Sequence, residues 1–393
     1  MDRNLNSVHS WRTGEWGNYK MCAQTTHKIE ELIKELCPNG VRFAQLDDIA
    51  DIRTGEFVHK DKQNPDGKYP VYNGGTTYTG FYNEWNREGN QIIISARGNA
   101  GFVNRVFTKF WSGNSCYTIT IDPEKANWNY VYYVVKQQEH ELQNVQQKGG
   151  IPAVSKKQVA QLKIPLPPLP VQQEIVRILD SFTELTAELT AELTARKKQY
   201  AYYRDALLTF GESIKHVPLS QIAEIGTGSS NTNEGLNSGR YPFFVRSQEV
   251  RYKNTYEYDE TAIITSGDGV GVGKIFHYVE GKYALHQRAY RIHIEDTGIV
   301  PKYIFYYMKS KFLPYIQKSS FHSSVTSIRR PMLNNFPIPL LPLERQRELV
   351  NTLDNFDAFC NDLTSGLPAE IAARQKQYEY YRDKLLTFKE FGA

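Results

Sequence analysis

A long internal duplication constrains this 393-residue chain more than any other feature. Residues 195–210 read ARKKQYAYYRDALLTF and residues 373–388 read ARQKQYEYYRDKLLTF; thirteen of the sixteen positions are identical, 178 residues apart. Composition does not generate a match of that length, so the chain reads as two copies of one unit. The landmarks recur in the same order through both halves. LDDIADIRTG (46–55) answers LSQIAEIGTG (219–228), NYVYYVVK (129–136) answers KYIFYYMK (302–309), IPLPPL (164–169) answers IPLLPL (338–343), and ILDSF (178–182) answers TLDNF (352–356). Each half is therefore expected to be a globular unit followed by a long helical one, and a duplicated protein suits a two-part target.

The composition, 40% hydrophobic and 23% charged, is that of a folded chain with enough length for two cores. No apolar run approaches the roughly 18 residues of a membrane span, and no signal peptide is visible, so a cytoplasmic protein without membrane attachment is expected. A net charge of +4 makes the chain mildly basic, compatible with nucleic acid without requiring it. Cys22, Cys37, Cys116 and Cys360 lack metal or redox spacing and read as idle thiols in a reducing compartment.

The spacing predicts an α+β organisation: a tail over 1–26 with Met21 as an alternative start, a short helix over 27–40, a globular unit over 41–170, a central helix over 171–213, a second globular unit over 214–342, and a C-terminal helix over 343–390. TITI (118–121) and RIHI (291–294) read as strands, and the Tyr-rich stretches after them as helices packed on a sheet. In the central helix Val171, Ile175, Ile178, Phe182, Leu185 and Leu189 step by four and three, and Leu193, Tyr200, Tyr203 and Leu207 carry the apolar stripe onward. Leu349, Leu353, Phe356, Cys360, Leu363 and Leu367 repeat the stripe in the second helix, followed by Tyr378, Tyr381 and Leu385. Two such helices are expected to pack antiparallel, since an isolated stripe would stay in water. The prolines at 165, 167, 168 and 170, and at 337, 339 and 342, are expected to stop the globular fold and launch each helix. A tandem TAEL (186–189, 190–193) inserts one stutter into the first helix, whereas Gly366 and Pro368 predict a kink in the second. The N-terminal stub is expected beside the C-terminal helix, as in a circular arrangement cut open within a helix.

Together RKKQYAYYRDALLTF, ILDSF after a Pro-rich run, the TAEL tandem and IAEIGTGSSNTNEG (222–235) resemble the specificity (S) subunit of type I restriction-modification enzymes, most of all the IC class. The resemblance covers the chain from about Thr26 onward. It implies two globular target-recognition domains in a pseudo-twofold arrangement, each reading one half of a bipartite site in double-stranded DNA. The helices between them would set the spacer and dock two methyltransferase (M) subunits, and motor-nuclease (R) subunits would join that core. The resemblance further implies adenine methylation by the partners, with S-adenosylmethionine, ATP and Mg²⁺ bound there and none by this chain.

The residues themselves offer no catalytic centre. GDGVGVGK (267–274) has phosphate-loop flavour, but its glycine spacing is one residue too long and Ile275 stands where a Ser or Thr would hold magnesium. A tight connection between strands is the expected reading. No Asn/Asp-Pro-Pro-aromatic methylation motif appears, and the histidines form no metal-binding pair at helical spacing. A self-sufficient nuclease or methyltransferase and a duplicated protein-binding scaffold are the competing classes.

DNA reading needs cations for phosphates and fork-like side chains for base edges. In the second unit the candidates are Ser229, Ser230, Asn231 and Asn233 in one polar loop, Arg246 and Gln248, His286 with Gln287 and Arg288, and Ser323, Ser324, Thr326, Arg329 and Arg330. The first unit offers Lys60, Lys62, Tyr72, Asn73, Arg97, Asn99, Lys148, Lys156 and Lys157. Any one of these suits an ordinary solvated loop; as sets recurring at matching places they point to DNA. Arg196, Lys197, Lys198 and Arg204 on the helix suit the phosphates of the unread spacer, an M subunit or plain solvent. The tyrosines of the helices fit helix packing better than base stacking.

Overall fold

The computed structural model describes residues 28–144, 152–318, 327–362 and 366–392. Lys148, Ser323, Ser324, Thr326, Leu363, Cys22 and the 1–26 tail lie outside the described residues. The chain forms two compact units. One comprises Met1–Glu188 with Ala372–Ala393, the other Leu189–Ile371. Each unit thus contains one globular half and stretches from two helical segments.

In the first unit β1 (Arg42–Gln45) pairs with β9 (Lys163–Leu166), and β2 (Ala50–Thr54), β8 (Cys116–Ile121), β5 (Gln91–Ser95) and β6 (Val103–Val106) form a four-stranded antiparallel sheet in that order. A separate three-stranded sheet sets β3 (Tyr69–Tyr72) between β4 (Gly80–Tyr82) and β7 (Trp111–Ser112). In the second unit β10 (His216–Pro218) pairs with β17 (Pro337–Pro339). There β11 (Ala223–Thr227), β16 (Ala289–Ile294), β14 (Tyr258–Ser266), β15 (Phe276–Leu285), β12 (Tyr241–Phe244) and β13 (Arg251–Lys253) make one six-stranded sheet. The ten-residue β15 does the work of β6 and β7 together, which fuses the two sheets of the first unit into one.

Besides two short helices at Leu46–Ile49 and Glu139–Asn144, the helices are α1 (Trp128–Gln137), α2 (Lys156–Ala160), α3 (Leu169–Leu207), α4 (Pro301–Lys318), α5 (Arg330–Asn334), α6 (Leu343–Asn361) and α7 (Leu367–Leu386). Residues 28–36 are also helical. TITI and RIHI lie in β8 and β16, and the Tyr-rich stretches form α1 and α4, packed by Tyr130, Tyr133, Tyr303 and Tyr306 into the cores.

The roots of the helices repeat side chain for side chain. Gln172 is buried, accepts from Asn127 N at 2.8 Å and donates to Pro167 O at 2.8 Å. Gln346 is buried too, accepts from Val300 N at 2.8 Å and donates to Leu341 O at 2.8 Å and Gly298 O at 3.0 Å. Tyr130 and Tyr303 donate to the carbonyls of Pro165 and Pro339, and Tyr133 and Tyr306 to the carboxylates of Asp180 and Asp354. Within the first unit Phe182 stacks on Tyr381 at 5.5 Å, and within the second Phe356 stacks on Tyr203 at 6.4 Å. Later residues of α3 thus meet earlier residues of the second helical run, the contact order of an antiparallel pair.

Four details sharpen or depart from the sequence reading. Pro165, Pro337 and Pro339 sit inside strands, tolerated because β1–β9 and β10–β17 are two-stranded ribbons whose outer edges need no N–H donor. The second helical run is broken into α6 and α7, with Asp362 leaving helical geometry. At the end of α3 Leu207 packs half-buried against the core, while Leu208 in the turn beyond is fully buried. Finally, Leu185, Leu189 and Leu193 are half-buried and Tyr203 is exposed, whereas Tyr200, Leu367 and Leu385 are buried and Tyr378 and Tyr381 pack at the edge of the core.

The N-terminal segment belongs to the first unit together with the end of α7. Ile29 is fully buried, Lys384 pairs with Glu30, and Val41 bridges Glu390.

Candidate nucleic-acid interface

In the second unit three loops at one end of the sheet converge because β12 lies beside β15 and β14 beside β16. Arg246 follows β12, Asp268 follows β14, and Arg288 precedes β16. Arg246 Nη1 meets Asp268 Oδ1 at 2.8 Å and Arg288 Nη1 meets Asp268 Oδ2 at 3.2 Å, one guanidinium on each carboxylate oxygen. Burial opposes ionisation, but hydrogen bonds and charge from Arg246 and Arg288 prevail and hold the Asp268 carboxyl below its usual range. The segment 267–274 is the connection between β14 and β15, and its tip residue Val270 is fully exposed.

A second polar cluster adjoins through the His286 loop, since Ser230 bridges His286. Glu257 accepts from Ser229 N at 2.9 Å and from the Ser230 hydroxyl, and Lys253 donates to Ser230 Oγ and Glu234, each at 2.7 Å. Gln287 Nε2 donates to Asn231 Oδ1 at 2.7 Å. Asn233, Gln248, Gln287 and Arg288 are exposed, Arg246 is half-buried, and Ser230 and His286 are buried. Burial, followed by the Arg246 charge, lowers the His286 pKa, and its Nδ1 accepts from Arg288 N at 2.9 Å, so this ring holds the loop from inside. Arg329 is exposed beside α5, while Arg330 donates to the carbonyl of Ile225, tying α5 to β11.

In the first unit the corresponding loops carry different residues. Arg97 and Asn99 are exposed after β5. Asn73 accepts from Ser115 N at 3.1 Å, and Tyr72 is half-buried against Phe110 with its pKa raised by burial. Lys60 and Lys62 are exposed on a short 3₁₀ turn, and Lys60, His59, Asn73 and Thr79 line a cleft of about 480 Å³. Lys156 and Lys157 are exposed in the first turn of α2, whose N-terminus is capped by Ser155.

The structure therefore brings together Ser229, Ser230, Asn231 and Gln287 in one cluster, Arg246 and Arg288 in another, and Lys60 with Asn73 in the first-unit cleft. It leaves Lys156 and Lys157 on a separate turn. Asp268, Glu257 and Lys253, which organise these groups, escaped sequence reasoning. Each is separated from its partners by 19 to 28 residues, so only strand order joins them. The one available signal was that Asp268 stands where the first copy has Arg97.

The type I restriction modification DNA specificity domain matches residues 38–196 and again 212–373. A putative type I restriction enzyme specificity subunit of Haemophilus influenzae is 30% identical over 91% of this chain and 98% of its own length. The EcoR124I/EcoR124II specificity subunit of Escherichia coli is 34% identical over 58% of this chain and 64% of its own. In structure, the S subunit of a type I restriction-modification system from M. genitalium superposes with a TM-score of 0.60 at 19% identity, covering 88% of this chain and 96% of that one. Two copies of the domain, near-complete coverage of a curated relative and a shared fold place this chain in the family of type I restriction-modification specificity subunits.

Proposed function

We propose that each globular half reads one half of a bipartite DNA site through the loops at the ends of β3, β5 and β8 in the first unit and of β12, β14 and β16 in the second. As a specificity subunit the chain supplies sequence recognition and no catalysis of its own. The observation that carries the reading is the contrast between frame and loops. The helix roots repeat residue for residue, while the converging loops hold different polar side chains in the two copies. Arginine can take guanine bidentately, and Asn or Gln can take adenine, so Arg97 and Asn99 in one unit and Arg246, Arg288, Asn231 and Gln287 in the other have the chemistry of base readers. Lys60, Lys62, Lys156, Lys157 and Arg329 suit phosphates.

The helical segments would set the spacer and dock two M subunits, with R subunits joining through that core. S-adenosylmethionine, ATP and Mg²⁺ would reside on those partners, in the cytoplasm of a bacterium. Among the described residues no helix is long and apolar enough to cross a membrane. The test is a DNA-binding titration of the chain with its M partner across salt, joined to methylome sequencing of cells expressing both. A split methylated motif and a steep fall of affinity with salt are expected. Methylation or cleavage by the chain alone, or binding indifferent to salt, would overturn the reading.

A further inference from the structure

Three positions at the reading end of the sheet correspond between the units. Gly74 and Arg246 both lie two residues beyond the matching strands β3 and β12, and Arg97 and Asp268 lie two beyond β5 and β14. Ser115 and Arg288 immediately precede β8 and β16. The backbone around them is shared. Ala96 N donates to Ser115 O at 2.8 Å and Gly267 N to Arg288 O at 2.9 Å, while Arg97 bridges Ala153 as Asp268 bridges Ser327. On this common frame the charges are exchanged. The second unit has two guanidiniums flanking a carboxylate. The first has one exposed arginine with no ion pair among the described residues, between a glycine and a serine. Both sets carry the same net charge, +1, in opposite arrangements.

The exchange is not free to occur one position at a time. Gly74 has φ +81°, and a Cβ there would lie 2.4 Å from Arg97 O, so an arginine cannot simply be placed at 74. In the second unit the extra guanidinium of Arg246 is accommodated, and Asp268 spares the two arginines their mutual repulsion. Each arginine is bound to the carboxylate through a single Nη1, which leaves other N–H groups of its fork to turn outward. Fixing two long side chains before binding also removes rotamer entropy that would otherwise be lost on binding.

Resting on the DNA-reading function proposed above, we infer that Asp268 is a positioning residue that sets Arg246 and Arg288 as a paired guanidinium fork for one half-site, and that Arg97 alone occupies the equivalent place for the other. Asp268 itself does not read a base. It determines which donors the two arginines present, and thereby the base preference of the second half-site only.

The test uses the full chain assembled with its M subunits, duplexes carrying the split motif found by methylome sequencing, and Asp268→Asn, Asp268→Glu, Arg288→Lys and Arg97→Gln variants. Asp268→Asn should cut discrimination at one half-site roughly tenfold or more, the scale of a lost bidentate contact. Because it raises the local charge from +1 to +2, it should also steepen the salt dependence by about one phosphate's worth of released ion. Asp268→Glu should restore part of the discrimination, and Arg97→Gln should relax the other half-site alone. Should Asp268→Asn fail to fold, as thermal melting would show, Arg288→Lys serves instead: it keeps the charge and salt slope but should lose discrimination in the same half. Unchanged preference in Asp268→Asn, tighter binding at unchanged preference, or equal loss at both halves would overturn the inference. A wild-type complex with no half-site preference or salt dependence would instead refute the underlying reading.

Discussion

Gln346→Leu is the sharpest test of how the helix root is held. The Gln346 side chain is buried in the first turn of α6 and satisfies three backbone groups, Val300 N–H and the carbonyls of Gly298 and Leu341. Leucine nearly preserves the volume, so the substitution removes hydrogen bonds rather than opening a cavity. A buried group left without its partner costs about 1–3 kcal/mol, and the gain from burying a more apolar side chain offsets part of the sum. A net loss of about 3–5 kcal/mol follows, a large share of the roughly 5–15 kcal/mol available to a folded domain. For a unit spanning Leu189–Ile371 that corresponds to a fall in Tm of about 6–20 °C. The five tryptophans fall at 11, 16, 85, 111 and 128, all in the first half. Urea unfolding of the full chain followed by tryptophan fluorescence therefore reports the first unit, and far-UV circular dichroism reports both. Gln346→Leu should shift part of the dichroism transition and leave the fluorescence transition in place, while Gln172→Leu should shift fluorescence. A loss below about 1 kcal/mol, or an equal shift of both signals by Gln346→Leu, would refute the reasoning that each root is locked by its own buried amide.

Three further outcomes are expected. A Cβ on Gly228, in the loop after β11, would lie 1.9 Å from Leu285 O and push that loop off the end of β15, so Gly228→Ala should cost about 1–3 kcal/mol, as overpacking does; a wild-type melting temperature would contradict it. Burial keeps His277 neutral, its Nε2 paired with Ser247 O, and its pKa is lowered. The unfolded chain therefore takes up the proton first, and this contribution to stability is intact above the ordinary imidazole range and lost as pH falls through it. Urea midpoints compared between about pH 7.5 and about pH 5.5 should drop less in His277→Gln than in the wild type, and parallel slopes would exclude the mechanism. Adding or deleting one TAEL unit changes α3 by about 6 Å and about 40° of rotation beyond a full turn. The methylome should then show a new spacer length with both half-site sequences unchanged, and altered half-site bases would rule out a ruler.

What the sequence disclosed and what it hid divide along a physical line. Helices and strands were legible because their periods are local: α3, α4, β8 and β16 lie where the spacing of Ile, Leu and Tyr put them. The stripe placed Leu207 against the core but did not show that Leu208, one residue past the helix, is the more deeply buried, because helical spacing says nothing of the turn that follows it. Prolines read as terminators because a missing N–H matters only where a neighbour needs it, and a two-stranded ribbon has a side that does not. The long-range polar pairs were hidden for a different reason: Asp268 meets Arg246 only because β14 and β12 both flank β15, which no window of sequence contains. Yet the duplication carries information of its own about such pairs. Gln172 and Gln346 are the same polar residue four positions after a proline in both copies, on helix faces that are otherwise apolar, and both prove to be structural locks. Arg97 and Asp268 occupy one backbone position with opposite charge, and no shared structural role accommodates that inversion. Within a duplicated chain, agreement of a buried polar residue between copies marks what holds the fold, and inversion of charge on a shared backbone marks where the two copies meet different partners.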